Sequence, residues 1–243
     1  MEKRYWYVIL TYIIMQFSGI FGIPLLQSTG LFENEAVRTS NQLAMTYWTI
    51  ISFSCALIIV LLILRKDMTM RHHHARLSTA IFWSIFGIFL ALAAQSIAAM
   101  IEMNVFGIEP GSENTEMIVN LVKVTPLLII VTSVIGPILE EIIFRKIIFG
   151  SLHRKYNFFI SAFISSLVFA TVHWDFEHLL IYTAMGFVFA FLYARTKLII
   201  VPIIAHVLMN TIVVLAQTIF SDQIIEMQKQ AEQMQIIIRG LGL

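Results

Sequence analysis

Seven apolar stretches, each near the length of a bilayer crossing, run through the chain at about 5–26, 43–64, 79–101, 121–144 and beyond, 157–174, 178–194 and 198–220. A hydrocarbon core about 30 Å thick is crossed by roughly 20 apolar residues in an α-helix. Inside lipid every backbone N–H and C=O must be satisfied by the protein itself, so runs of this kind fold as helices. The expected fold is an all-α polytopic transmembrane bundle of about seven spanning helices. Hydrophobic residues are 58% of the 243 and charged residues only 13%, too few to clothe a water-soluble domain. The net charge of +1 argues against a nucleic-acid partner, leaving the lipid bilayer as the chain's main surroundings.

No repeat, low-complexity tract or linker divides the chain, so residues 1–243 read as one membrane domain. The apolar run that follows Met1-Glu2-Lys3-Arg4 reaches about Leu26, too long for a signal peptide and without a small-x-small cleavage site, and reads as a retained first helix. The tail at 221–243 alternates Ile224, Ile225, Met227, Met234 and Ile237 with polar residues, as an interfacial amphipathic helix or a mobile terminus would. Lone Cys55 excludes a disulfide framework and is expected to serve packing. Gly19, Gly22, Ser161, Ser165, Ala184, Gly186 and Ala190 are small enough to let helices approach closely. His72, His73 and His74 beside Arg71 could attract a transition metal, but three adjacent histidines seldom converge on one ion.

Basic residues mark the cytoplasmic loops of membrane proteins. Alternate loops here collect Lys3, Arg4, Arg65, Lys66, Arg71, Arg76, Arg145, Lys146, Arg154, Lys155, Arg195 and Lys197, 12 of the 16 basic residues. The opposite loops hold Glu33, Glu35, Glu109, Glu113, Glu116, Asp175 and Glu177. The expected location is a cell membrane, read as a bacterial plasma membrane, with the N-terminus cytoplasmic.

The chemistry is expected on the last four hydrophobic helices, where polar residues interrupt apolar runs. Glu140 and Glu141 lie between Pro137-Ile138-Leu139 and Ile142-Ile143-Phe144. An ionisable residue at such a depth costs about 2.5–3.5 kcal/mol on insertion scales. Arg145 follows Glu141 by four residues, on the same helix face, and supplies its counter-charge. Glu140 is left without a local cation and is the candidate general base. His173 ends the run Phe169-Ala170-Thr171-Val172, while His206 and Asn210 share a face at a spacing of four. At ~1.5 Å per residue, Glu140 is roughly 21 Å from Arg154, His173 about 24 Å from Asn157, and His206 and Asn210 about 14 and 20 Å from Lys197. The four groups thus share one slab of the membrane, which predicts a single site, an aqueous cavity, and a Lys146 that snorkels or lines that cavity.

Glu140-Glu141-x-x-x-Arg145, Phe169-x-x-x-His173 and His206-x-x-x-Asn210, in this order, with Gly136-Pro137 and Pro202 just ahead of the first and third, resemble the three motifs of the CPBP intramembrane proteases. That group contains the type II CAAX prenyl endopeptidases and the bacterial Abi proteins, and the resemblance covers about 120–216. It implies peptide-bond hydrolysis within the membrane on a membrane-associated peptide or protein precursor, in peptide maturation, bacteriocin immunity or signalling. Glu140 and His173 would hold and activate water, His206 and Asn210 would stabilise the oxyanion, and Glu141 with Arg145 would be scaffold. Glu140, His173 and His206 are also a plausible zinc set, so zinc-dependent and metal-free glutamate mechanisms both stay open. Two other readings compete: a proton-coupled transporter, whose paired interrupted helices are missing from the sequence, and a non-catalytic membrane scaffold.

Overall fold

A computed structural model describes residues 2–69, 76–109, 111–220 and Gln230, Gln233 and Met234. The His72–His74 cluster and most of the 221–243 tail lie outside the described residues. Among the described residues the chain is helical with no strand. The elements are α1 (Lys3–Phe17), α2 (Gly19–Ser28), α3 (Val37–Thr69), α4 (Leu77–Ile101), α5 (Glu113–Val124), α6 over 128–152, α7 (Phe158–Thr171), α8 (Leu179–Thr196) and α9 (Ile200–Ile219).

Every apolar stretch read from the sequence carries a helix, but the lengths are uneven. Four helices are long and apolar enough to cross a membrane, and a fifth crossing results if α1 and α2 are one span bent by 47°. The bend falls at Ser18, whose Oγ donates to the Met15 carbonyl at 2.8 Å and accepts from the Trp48 indole at 2.9 Å. Gly22 lies under the same indole, where a Cβ would sit 1.8 Å from a ring atom. The expected fourth span begins differently from the sequence reading. Residues 113–124 form the separate helix α5, capped by Ser112, and Thr125-Pro126 divide it from α6, since proline removes a helical donor.

α6 is not a regular helix. The segments Leu128–Ile130, Gly136–Glu140 and Gly150–Leu152 have ordinary turns, whereas Val131–Ile135 and Glu141–Phe149 have wide turns that bond five residues back. Such widening displaces side chains from the regular 100° step and recurs at functional sites. Within the second wide segment the Phe144 carbonyl accepts from Ser165 Oγ of α7 at 2.6 Å, a bond that ties α6 to α7 inside the protein.

Small residues bring the remaining helices together. α8 packs on α7 and α4, and α9 packs on α4. At Gly186 a Cβ would approach Ser166 to 2.6 Å, so that crossing needs glycine. Cys55, expected to be packed, is exposed on α3. The outer face of a membrane helix meets acyl chains, so an apolar side chain gains nothing extra from facing inward. Phe21, Phe89 and Phe159 are exposed in the same way. Lys146 does not reach the interior cavity. Its Nζ lies 3.6 Å from Asp67, which also pairs with Arg4 and accepts from the Tyr5 hydroxyl at 3.2 Å, tying α1, α3 and α6 together at one end.

Candidate active site

The two adjacent glutamates part at the junction in α6, Glu140 closing an ordinary segment and Glu141 opening a wide one. Glu141 is fully buried, with Oε2 3.3 Å from Nε of Arg145, itself fully buried. The guanidinium lies 4.3 Å from the centre of the Phe169 ring, with Phe189 and Phe144 at 5.4 and 5.9 Å. Ring faces and one carboxylate thus hold a charge that lipid would expel.

Glu141 does more than hold Arg145. Its Oε1 accepts from Nδ1 of His206 on α9 at 2.9 Å, across 65 residues of sequence. An ionised carboxylate can only accept, so Nδ1 carries the proton and Nε2 is the other available ring nitrogen. Nε2 lies 3.8 Å from Oε2 of Glu140, whose side chain is 16% exposed. His206 is also stacked on Phe189, ring centres 4.5 Å apart.

His173 sits just beyond the end of α7. Its Nδ1–H donates to the Phe169 carbonyl at 2.8 Å, which leaves Nε2 to accept in the neutral ring. Phe169 meets the ring edge-on at 4.6 Å and Tyr182 of α8 stacks on it at 4.2 Å. The next residue, Trp174, has φ 58°, a left-handed conformation rare for a bulky side chain and of the kind that collects at working sites.

A cavity of about 880 Å³ receives Glu140, His173, His206 and Asn210 together. Three helical elements, α6, α9 and the turn after α7, bring them there. Glu141 and Arg145 lie behind the wall rather than in it. The N-terminal helices complete the enclosure through Gln16, Trp48 and Gln95, so the cavity extends beyond the last four apolar helices on which the chemistry was expected.

Residues that the sequence did not single out join this wall. The Tyr182 hydroxyl lies 3.3 Å from both Ser112 Oγ and Asn114 Nδ2, and Ser112 donates to Asp175 at 2.6 Å. Glu102 is buried at the end of α4 and accepts from the backbone N–H groups of Leu180 and Ile181 at the start of α8 and from Nδ1 of His178 at 2.8 Å. A carboxylate at a helix N-terminus needs no cation to be stable there. Only the acidic residue inside the last turns of an apolar run hinted at this role for Glu102.

Among the described residues no three His, Cys, Asp or Glu side chains are grouped so as to hold a metal ion. His206 has its Nδ1 on Glu141 and His173 its Nδ1 on the Phe169 carbonyl, so Nε2 of each ring and the Glu140 carboxylate are the groups that would face an ion in the cavity.

The family model for Rce1-like type II CAAX prenyl endopeptidases matches residues 123–212, a stretch that contains all seven of the motif residues. YdiL of Bacillus subtilis (strain 168) is 51% identical over 246 residues, covering 100% of both chains. The chain belongs to the Rce1-like CAAX protease family. The membrane-embedded CAAX protease MroQ of Staphylococcus aureus (strain USA300) is 31% identical over 94% of this chain and 96% of its own. The UPF0177 protein YxdF of Lactococcus lactis subsp. lactis (strain IL1403) is 30% identical over 54% of this chain and 73% of its own. No solved structure matches. Membership in the Rce1-like family makes the chain a membrane protease, and the match falls on the helices that carry the polar residues of the cavity.

Proposed function

We propose that this membrane protease is an endopeptidase that hydrolyses a peptide bond of a membrane-associated peptide or precursor inside the 880 Å³ cavity, with Glu140 as general base. The observation that carries the reading is the convergence of Glu140, His173, His206 and Asn210 on that one cavity. A water between Glu140 and Nε2 of His173 loses a proton to Glu140 as its oxygen adds to the scissile carbonyl carbon. The carbonyl oxygen becomes an oxyanion. His206, in its doubly protonated form, and the Asn210 amide donate to that oxygen, and Glu141 balances the imidazolium charge through Nδ1. The C–N bond then breaks as Glu140 returns the proton to the leaving amine. Tyr182 and the Phe169 carbonyl hold the His173 ring in register for the first step.

The substrate class follows the family name only as far as peptides presented at a membrane. An N-terminus-inside topology accords with Lys146, Arg4 and Asp67 meeting at one end of the bundle, the end that the basic loops mark. The test is cleavage of lipid-associated peptides by the intact protein and by Glu140→Ala and His173→Ala variants at equal level in membranes. Metal content is read on the same samples. Loss of cleavage in both variants, with the fold kept, supports the reading, and full retention overturns it.

A further inference from the structure

α8 starts without a cap of its own. His178 stands at the capping position, its side chain accepts nothing from the helix, and the first turn holds no acidic residue. The N–H groups at such a start need acceptors, and a Ser or Asn at position 178 would supply one locally. Here the acceptor comes from another helix. Glu102, buried at the end of α4, takes the N–H groups of Leu180 and Ile181 on Oε1 at 3.0 and 3.2 Å and Nδ1 of His178 on Oε2 at 2.8 Å. Its own backbone is fixed by the wide turn Glu102–Phe106, which the left-handed Gly107 closes with an N–H bonded to the Glu102 carbonyl.

Taking a carboxylate out of water costs more than a local cap, so its placement has to be explained by what it holds. The residue after Ile181 is Tyr182, whose ring stacks on His173 at 4.2 Å. The segment between α7 and α8 carries His173 near its start and His178 at its end, and within it Trp174 is strained at φ 58°. Strain of this kind persists only where the surroundings over-determine it. Glu102 holds the far end of the segment, and the bond from Ser112 to Asp175 holds its middle. Among the described residues the side-chain bonds of Glu102 go to His178 and the start of α8, and none goes to Glu140, His173, His206 or Asn210.

We infer that Glu102 is a positioning residue of the protease: by tying the first turn of α8 to α4 it sets Tyr182 against His173 and holds that ring at the angle the reaction needs. The inference rests on the hydrolase reading for the effect on rate but not for the effect on the ring. It requires the tie between helices, and a cap supplied from α8 itself does not replace it.

The test uses the full-length protein in nanodiscs with isotopically labelled histidine, and cleavage of an N-acylated fluorogenic peptide of apolar sequence by the same samples. The Hε1 resonance of His173, assigned by its loss in His173→Ala, is expected upfield because the Tyr182 ring shields it. Glu102→Gln keeps an acceptor on the two N–H groups, and should keep the resonance in place and kcat within about three-fold of the parent. Glu102→Ala should move the resonance downfield, toward its position in Tyr182→Leu, and lower kcat about ten-fold or more at nearly constant KM. Adding His178→Asn to Glu102→Ala caps α8 locally and should restore the unfolding midpoint, but neither the resonance nor kcat. His178→Asn alone should match the parent in both. Parental resonance and kcat in Glu102→Ala or in the double variant, or loss of either in His178→Asn alone, overturns the inference. Where Glu102→Ala does not reconstitute, the double variant decides, and its failure to fold makes Glu102 a structural residue and overturns the inference as well. A resonance that moves as stated, with no cleavage by the parent, counts against the hydrolase reading alone.

Discussion

Nδ1 of His206 donates to one oxygen of Glu141 at 2.9 Å, and the other oxygen of that carboxylate lies 3.3 Å from Nε of Arg145. One buried carboxylate therefore balances a guanidinium and orients an imidazole. Removing it strands Arg145 among aromatic rings, and loss of one partner of a buried pair costs about 3–5 kcal/mol. Glu141→Ala is expected to lower the thermal unfolding midpoint sharply in detergent. The double variant Glu141→Leu with Arg145→Met should recover most of that stability yet stay about 10²-fold slower in cleavage, because Nδ1 of His206 has lost its acceptor. Full recovery of activity in the double variant would contradict the role given to Glu141.

Asn210 is expected to act on the transition state rather than on binding. Asn210→Ala should lower kcat by about 10²–10³ with little change in KM, the usual cost of one lost oxyanion donor. Steady-state kinetics on a cleaved peptide separate the two, and a rise in KM at constant kcat would move Asn210 to substrate binding.

Tyr182 separates stacking from hydrogen bonding. Tyr182→Phe keeps the ring on His173 and gives up the contacts to Ser112 and Asn114, while Tyr182→Leu gives up both. The Phe variant should keep kcat within about three-fold, and the Leu variant should lose about ten-fold or more, since small misplacements of a reacting group are costly. Equal loss in both would assign the effect to the hydroxyl network instead.

The motif residues were legible because each is an ionisable or amide group set in an apolar run, where its presence needs a reason. Spacings of four gave the Glu141–Arg145 pair and the shared face of His206 and Asn210. The link between Glu141 and His206 was not legible, since nothing local joins positions 65 residues apart. The same holds for Glu102, which spans 76 residues to His178. Residues 113–124 offered a further trap. Their apolar positions run into the next hydrophobic stretch, and only Thr125-Pro126 marks the break between α5 and α6.

Close approach of α7 and α8 gives a prediction about stability alone. Gly186→Ala puts a methyl 2.6 Å from Ser166, and overpacking of this kind costs about 1–3 kcal/mol. Combining it with Ser166→Gly should restore most of the loss, measured by unfolding in a fixed detergent.

The central claim is that Glu140 activates water for attack on a peptide bond inside the membrane cavity. The most direct measurement is hydrolysis by purified protein reconstituted in liposomes, run in ¹⁸O-labelled water with products read by mass spectrometry, for the parent and Glu140→Gln. The account predicts that the parent places one labelled oxygen on the new carboxyl terminus and that Glu140→Gln, folded to the same extent, is slowed by at least about 10²-fold. Turnover by Glu140→Gln at the parent rate, or product without label, would contradict it.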